Sequence, residues 1–450
     1  MQKIVLILLA VLALGIITLT SVEGAISVLF SVGLSFAVIM IISRAADDDP
    51  FPVTIFLIAL FARLLLGLII HYFELRNVFG PDAFLYDAAG QRLAEIWSGD
   101  AAGANKITNR AIMTVGTGWG MSYLVGAIYF VFGKSMLVAQ SFCGVIGAAT
   151  APLVYFCAQR IFNNRRVSRF AAIGIAVFPA FIIWSSQILK DGLIIFLLVA
   201  SMTAVMEIQK KFSGVAIGVL VACLIGILSL RFYIFYMAIV AIGCSFLIGL
   251  NTSVKSTIRN VAAVGLVGIA LVYFGVIGNA TQEFKTYGSL ERVQLSRNDL
   301  VESASSGFGG DIDVSTPEGA ISAIPVGMIN LMLAPFPWQV KKWTQAVILP
   351  EMFLWWAMIP ILISGLWYSV KNRLRSALPI LLFVGMLTVA YSIFQGNIGM
   401  AYRQRTQIQV FLFIFIAVGA VLILEKRETK RILRLERNKS GMPTVTTNFN

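Results

Sequence analysis

Apolar runs of roughly 17 to 23 residues recur from one end of this 450-residue chain to the other. Each is long enough to cross a hydrocarbon layer about 30 Å thick as a helix. With 58% hydrophobic and 13% charged residues and a mean hydropathy of +0.86, the chain falls outside the range of soluble domains, whose charged fraction is near a quarter. The expected fold class is an all-α polytopic membrane protein with interfacial helices on one face. Met1-Gln2-Lys3 leads straight into a full-length apolar run, so no cleavable signal peptide is expected.

Twelve spans are expected, at about 4–20, 25–43, 52–72, 136–158, 168–184, 191–208, 214–229, 233–250, 258–277, 348–368, 377–394 and 407–424. Two further apolar stretches, 117–133 and 319–337, are ambiguous, the first short and Gly-rich, the second broken by Pro325, Pro335 and Pro337. Charge arbitrates. With 117–133 on the outer interface and the amino terminus inside, Arg160/Arg165/Arg166/Arg169, Lys210/Lys211, Lys255/Arg259, Lys371/Arg373/Arg375 and the tail from Lys426 all face the cytoplasm. The chain then divides into three amino-terminal spans (1–72), an outer loop with interfacial helices (73–135), a six-span core (136–277), a long outer loop (278–347), three carboxy-terminal spans (348–424) and a basic cytoplasmic tail (425–450). The tail is expected to be helical to about Lys439. The net charge of +13 sits in these short loops and the tail, which argues against nucleic acid as a partner. Cys143, Cys157, Cys223 and Cys244 all lie in apolar runs, so neither a disulfide framework nor a zinc site is expected.

The unexplained polar residues gather on the outer side. In "GPDAFLYDAAGQRLAEIW", a Gly-Pro turn precedes a stretch with apolar residues at helical spacing, the pattern of an amphipathic helix at the membrane surface. Asp82 either caps that helix or serves as a general base, with Asp87 as a supporting acid or a solvated one. In "IIWSSQILKDGLI", Lys190 and Asp191 stand in a tight turn, either as an interfacial pair or as substrate-positioning groups. In "NIGMAYRQRTQIQ", Arg403 and Arg405 lie outside against the charge trend; in an extended turn both forks could converge on a phosphate, with Lys190 and Arg231 as alternates. "LMLAPFPWQVKKWTQ" places Trp338, Lys341, Lys342 and Trp343 as an aromatic and basic belt or a lipid entrance.

Other features carry less. His71, the one histidine, ends a span. Arg63 lies mid-span, where a charge is functional or paired. Asp311 and Asp313 form a weak D-x-D, "RAADDDP" at 44–50 reads as a solvated turn, and 296–316 reads as a flexible excursion without fixed structure. No Walker sequence and no G-x-S-x-G is present.

The stretches "GPDAFLYDAAGQRLA", "GWGMSYLVGAIYFVFGKSMLVAQSFCGVIGAATAPLVYFCAQRIFNNRRVSRFAAIGIAVFPAFIIWSSQILKDGLIIFLL" and "NIGMAYRQRTQIQVFLFIF" resemble the GT-C superfamily of integral-membrane glycosyltransferases, in particular the protein O-mannosyltransferase and lipid A aminoarabinose transferase group. The resemblance covers roughly 75–210. It implies a catalytic carboxylate at Asp82, a polyprenyl-phosphate-linked sugar donor and an inverting displacement. Two extra spans before that loop, and Lys190-Asp191 where several relatives have an acidic residue, depart from the pattern. The expected function is transfer of a sugar to a glycan, lipid or protein acceptor at the outer face of the plasma (inner) membrane. It calls for no nucleotide or redox cofactor and leaves a divalent cation open. Rival readings are a polymerase or ligase acting on polyprenyl-linked glycans, a lipid-carrier flippase, and a non-catalytic scaffold. A transporter would carry polar residues at mid-membrane depth, where Arg63 stands nearly alone.

Overall fold

A computed structural model of the chain describes residues 21–99, 118–248, 254–276, 278, 288–302, 306–340 and 343–439. The described residues form helices and connecting turns, with one isolated β-bridge between Gly307 and Asn397. The helices are α1 (Val22–Ala45), α2 (Phe51–Tyr72), α3 (Asp82–Trp97), α4 (Gly120–Phe132), α5 (Met136–Phe162), α6 (Arg165–Val177), α7 (Pro179–Ser185), α8 (Lys190–Lys210), α9 (Gly214–Leu230), α10 (Phe232–Ile248), α11 (Val254–Tyr273), α12 (Leu290–Glu302), α13 (Pro317–Leu333), α14 (Leu349–Phe394) and α15 (Ile398–Lys439).

Among the described residues, six helices are long and apolar enough to cross a membrane, or seven if the bent pair α6–α7 is one span. The chain is an integral, multi-pass membrane protein. Every expected span from 25–43 onward falls on a helix, while 4–20 lies outside the described residues. The spans expected at 348–368 and 377–394 run as one helix, α14, broken at Arg373, whose φ of −137° and ψ of 24° interrupt it inside the basic loop. Residues 117–133 contribute α4, whose 13 residues reach only about 20 Å, short of a bilayer core. It packs along α3, so these two form a helical pair beside the bundle. Helix α15 runs on to Lys439.

Helix α5 is the hub, packed against α1, α2, α6 and α8. Its run of small residues ("CGVIGAATAP") lets neighbouring backbones approach closely, the usual device where lipid offers no hydrophobic drive for helix association. A close approach of this kind joins α14 to α15. A Cβ on Gly365 would lie 1.8 Å from the Phe415 carbonyl, and one on Gly419 would lie 2.0 Å from the Ile361 carbonyl. Only glycine fits there.

Two expectations fail here. The turn "RAADDDP" is not simply solvated: Asp49 is buried, accepts from the Tyr155 hydroxyl at 2.8 Å and the Phe51 amide at 3.0 Å, and pairs with Arg169 at 3.2 Å. Nor are the described residues of 296–316 a structureless excursion, 303–305 lying outside the description. Residues 290–302 form α12, and Arg297 is fully buried, donating to the Ile393 carbonyl at 2.6 Å and the Gly309 carbonyl at 3.0 Å. The Phe308 amide donates to the Gly396 carbonyl and the Ile398 amide to the Ser306 carbonyl. A sequence poor in apolar residues is ordered because its backbone finds partners in the loop that opens α15.

Candidate active site

Three buried arginines have only carbonyls, a hydroxyl or a thioether as hydrogen-bond partners. Arg63 lies about 18 Å along α2 from Phe51 and about 13 Å from Tyr72, deep in the span. It donates to the Ile175 carbonyl at 3.2 Å, the Ala176 carbonyl at 3.4 Å, the Ala59 carbonyl at 3.1 Å and the Ser185 hydroxyl at 2.8 Å. The reason is local. Pro179 has no N–H to offer Ile175, and the chain bends by 56° between α6 and α7. Arg63 supplies the donors the break removes. Arg405 does the same at the carboxy end of α13, donating to Leu331, Met332 and Ala334 carbonyls at 3.4, 3.1 and 2.9 Å. Arg297, at the end of α14, is the third. Guanidinium groups serve here as helix caps.

Arg403 and Arg231 differ, because their partners are carboxylates. Arg403 Nη1 donates to Asp82 Oδ2 at 2.7 Å, and Nε donates to Asp191 Oδ2 at 2.7 Å. Its Nη2 stands 2.6 Å from the same Asp191 oxygen as an ion-pair contact outside hydrogen-bond geometry. Arg231 Nη2 donates to Asp191 Oδ1 at 2.9 Å, and its Nη1 to the Tyr233 hydroxyl at 2.8 Å. Asp191 is fully buried, saturated by two guanidiniums from α15 and from the end of α9. Asp82 is 40% exposed, the one open carboxylate of the group. Trp184 closes one side, its ring 5.5 Å from the Arg403 guanidinium carbon. Tyr86, one turn along from Asp82, faces the same cluster; burial, with the charges of Asp82 and Asp191, pushes its phenol up to about 12. The Lys190 ammonium flanks the group near Gly118, where a Cβ would stand 3.2 Å from Nζ; the glycine's φ of +122° suits no other residue.

Thus Asp82, Asp191, Arg403 and Arg231, separated by up to 321 positions, meet at one end of the bundle. Asp82 does not cap α3: it sits in the helix's first turn behind Pro81 and makes no capping bond. Three placements depart from expectation. Asp87, five residues on and so about 140° around the helix from Asp82, accepts from the Tyr129 hydroxyl at 2.6 Å and ties α3 to α4 rather than joining the cluster. Arg403 and Arg405 occupy a regular helix, not an extended turn, so their forks diverge, and Arg405 is consumed by the α13 carbonyls. Lys190 and Asp191 open α8 rather than standing in a free turn. His71 takes the structural part that a lone histidine at a span end suggests, its Nδ1 2.7 Å from Arg76 Nη2.

Trp338 and Trp343 are exposed, at 77% and 62%; Lys341 and Lys342 lie outside the described residues. Phe336 stacks on Trp338 at 4.8 Å. No group of three or more metal-ligating side chains occurs among the described residues. Sequence reasoning missed Trp184, Tyr86 and Tyr233 as members of the site. Tyr233 stands two residues after a predicted cation at a span end, which was the available signal.

No family model and no curated protein matches the chain. Among solved structures, ArnT from Cupriavidus metallidurans bound to undecaprenyl phosphate is similar over 79% of this chain, with 13% identity and a TM-score of 0.45. The oligosaccharyltransferase of Archaeoglobus fulgidus, in complex with zinc and sulfate, is similar over 72% of the chain, with 13% identity and a TM-score of 0.37. This chain spans 59% of the length of the first structure and 43% of the second.

Proposed function

We propose that this chain is a membrane glycosyltransferase of the GT-C type that moves a sugar from a polyprenyl-phosphate-linked donor to an envelope acceptor at the outer face of the plasma membrane, with both termini in the cytoplasm. The observation that carries this reading is the Arg403 bridge between an exposed carboxylate, Asp82, and a buried one, Asp191. A group-transfer site needs a base within reach of the acceptor and fixed cations where the leaving group collects its charge. Both are present within one ion-paired cluster.

In this mechanism the acceptor hydroxyl attacks the anomeric carbon from the face opposite the phosphate. The new C–O bond forms as the bond to the phosphate oxygen breaks, and the electron pair leaves with the lipid phosphate. The hydroxyl proton passes to Asp82. Arg403 exchanges Asp82 for the phosphate when the donor arrives, which frees the carboxylate to act as base. Arg231 Nε, a buried donor without a hydrogen-bond partner, supplies a spare N–H group. Asp191 stays ionised between the two arginines and fixes both. A guanidinium in an apolar setting is suited to this task because it keeps its charge and presents a planar fork.

The test is Asp82→Asn in proteoliposomes supplied with a polyprenyl-phosphate-linked sugar. The amide keeps the shape but cannot take a proton, so transfer should fall by about 10²- to 10⁴-fold with membrane insertion unchanged. Transfer within about threefold of the parent would remove Asp82 as the base.

A further inference from the structure

The Arg231 side of the cluster continues into the bundle as a chain of hydroxyls, and its direction follows from donor and acceptor chemistry. Arginine only donates. Its Nη1 donates to the Tyr233 hydroxyl at 2.8 Å, so the Tyr233 proton must point elsewhere. The next group is Tyr391, whose ring meets that of Tyr233 edge to face at 6.1 Å and whose hydroxyl interacts with it. Tyr391 in turn donates to Gln407 Oε1 at 2.6 Å. Tyr391 is 1% exposed and Gln407 not at all, so no solvent competes for these bonds. Gln407 lies four residues, one turn, beyond Arg403 on α15.

From this geometry we infer that Tyr391 and Gln407 are positioning residues for Arg231, fixing the rotation of its guanidinium through Tyr233. The inference rests on the proposed phosphate site and deepens it. Arg231 leaves α9 at an extended residue, and Nε is the one nitrogen of its guanidinium without a hydrogen-bond partner. Where that N–H points depends on how the other side of the fork is held. Asp191 fixes one amino group and Tyr233 the other. A tyrosine hydroxyl accepts best when its own proton has a partner, and Tyr391, itself held by the Gln407 carbonyl, stands beside Tyr233 to take that part. The relay therefore turns a helix-end arginine into a fixed phosphate donor, at a distance of three side chains.

The experiment is a double-mutant cycle read by two measurements on purified protein in detergent. One is the affinity for undecaprenyl phosphate as the bare carrier; the other is the thermal midpoint without ligand. Tyr391→Phe should weaken carrier binding about tenfold, the effect of one buried hydrogen bond. On an Arg231→Lys background, where the fork is already gone, the same change should cost less than twofold. Gln407→Met should reproduce Tyr391→Phe and serves if the phenylalanine variant folds poorly. Unchanged affinity in Tyr391→Phe, or full additivity with Arg231→Lys, would overturn the relay. Failure of the parent protein to bind the carrier would instead sink the phosphate-site reading. The thermal midpoints then decide the relay separately: coupling between Tyr391→Phe and Arg231→Lys sustains it, and additive shifts refute it.

Discussion

Replacing Arg63 with methionine removes the donors that cap a broken helix in the middle of the membrane. The Ile175 carbonyl has no helical donor, because residue 179 is proline, and the Ala176 carbonyl also leans on Arg63. The Ala59 carbonyl lies within α2 and keeps its own ladder bond, so its loss counts for little. Ser185 still donates to the Phe181 carbonyl. Two orphaned buried acceptors at about 1–3 kcal/mol each, less the relief of no longer burying a charge, give a net loss of about 2–4 kcal/mol. Pro179→Ala returns an N–H to Ile175, so the double variant should lose at least about 1 kcal/mol less than the sum of the single changes. Straightening the bend would also carry Trp184 off Arg403, so the double variant should fold yet bind the lipid carrier poorly. Unfolding titrated with sodium dodecyl sulfate from neutral micelles measures the first effect. An Arg63→Met protein within about 0.5 kcal/mol of the parent, or strict additivity with Pro179→Ala, would refute the capping account.

Other outcomes follow from the same geometry. Arg405→Met should destabilise the protein by about 2–4 kcal/mol by orphaning the α13 carbonyls, and Arg405→Lys should recover only part, since one ammonium cannot span three acceptors; the same titration checks both. Gly365→Ala should abolish proper packing of α14 on α15, seen as loss of the folded peak in size-exclusion chromatography, because its Cβ would meet the Phe415 carbonyl at 1.8 Å. Arg297→Met should speed hydrogen exchange at the Ile398 amide, which donates to the Ser306 carbonyl, while leaving the α5 amides protected. Burial opposes the charge on Asp49, but the Phe51 amide, Tyr155 and Arg169 outweigh it and hold the carboxyl below its usual 3.8. A depressed folded-state value contributes stability above 3.8 that is lost as pH falls through it, so Asp49→Asn should flatten the acid side of the stability curve below about pH 4.

The spans were legible in the sequence because hydropathy and loop charge act over some twenty residues at a time, and Asp82, Asp191, Arg231 and Arg403 stood out as charges on the side with few. What the sequence could not separate was one arginine from another. Arg63, Arg297, Arg403 and Arg405 differ in role only through what a distant segment brings to them: an interrupted helix end for three, two carboxylates for the fourth. Arg403 and Arg405 stand two residues apart, and helical geometry sends them in different directions. Pro179 was a visible sign of the α6–α7 bend, but nothing near Arg63 in sequence ties it to residue 175. The order in 290–302 and 306–316 was likewise hidden, since it rests on backbone groups more than 80 positions away.

The central claim is that Arg403, held by Asp191, takes a lipid phosphate in exchange for Asp82. Binding of undecaprenyl phosphate to the purified protein, parent against Arg403→Lys, tests it most directly. The lysine keeps the charge but cannot grip Asp191 and a phosphate at once with a planar fork. The account predicts measurable binding by the parent and a loss of at least about tenfold in the lysine variant, more than 1.4 kcal/mol. No binding by the parent, or equal binding by the two proteins, would contradict it.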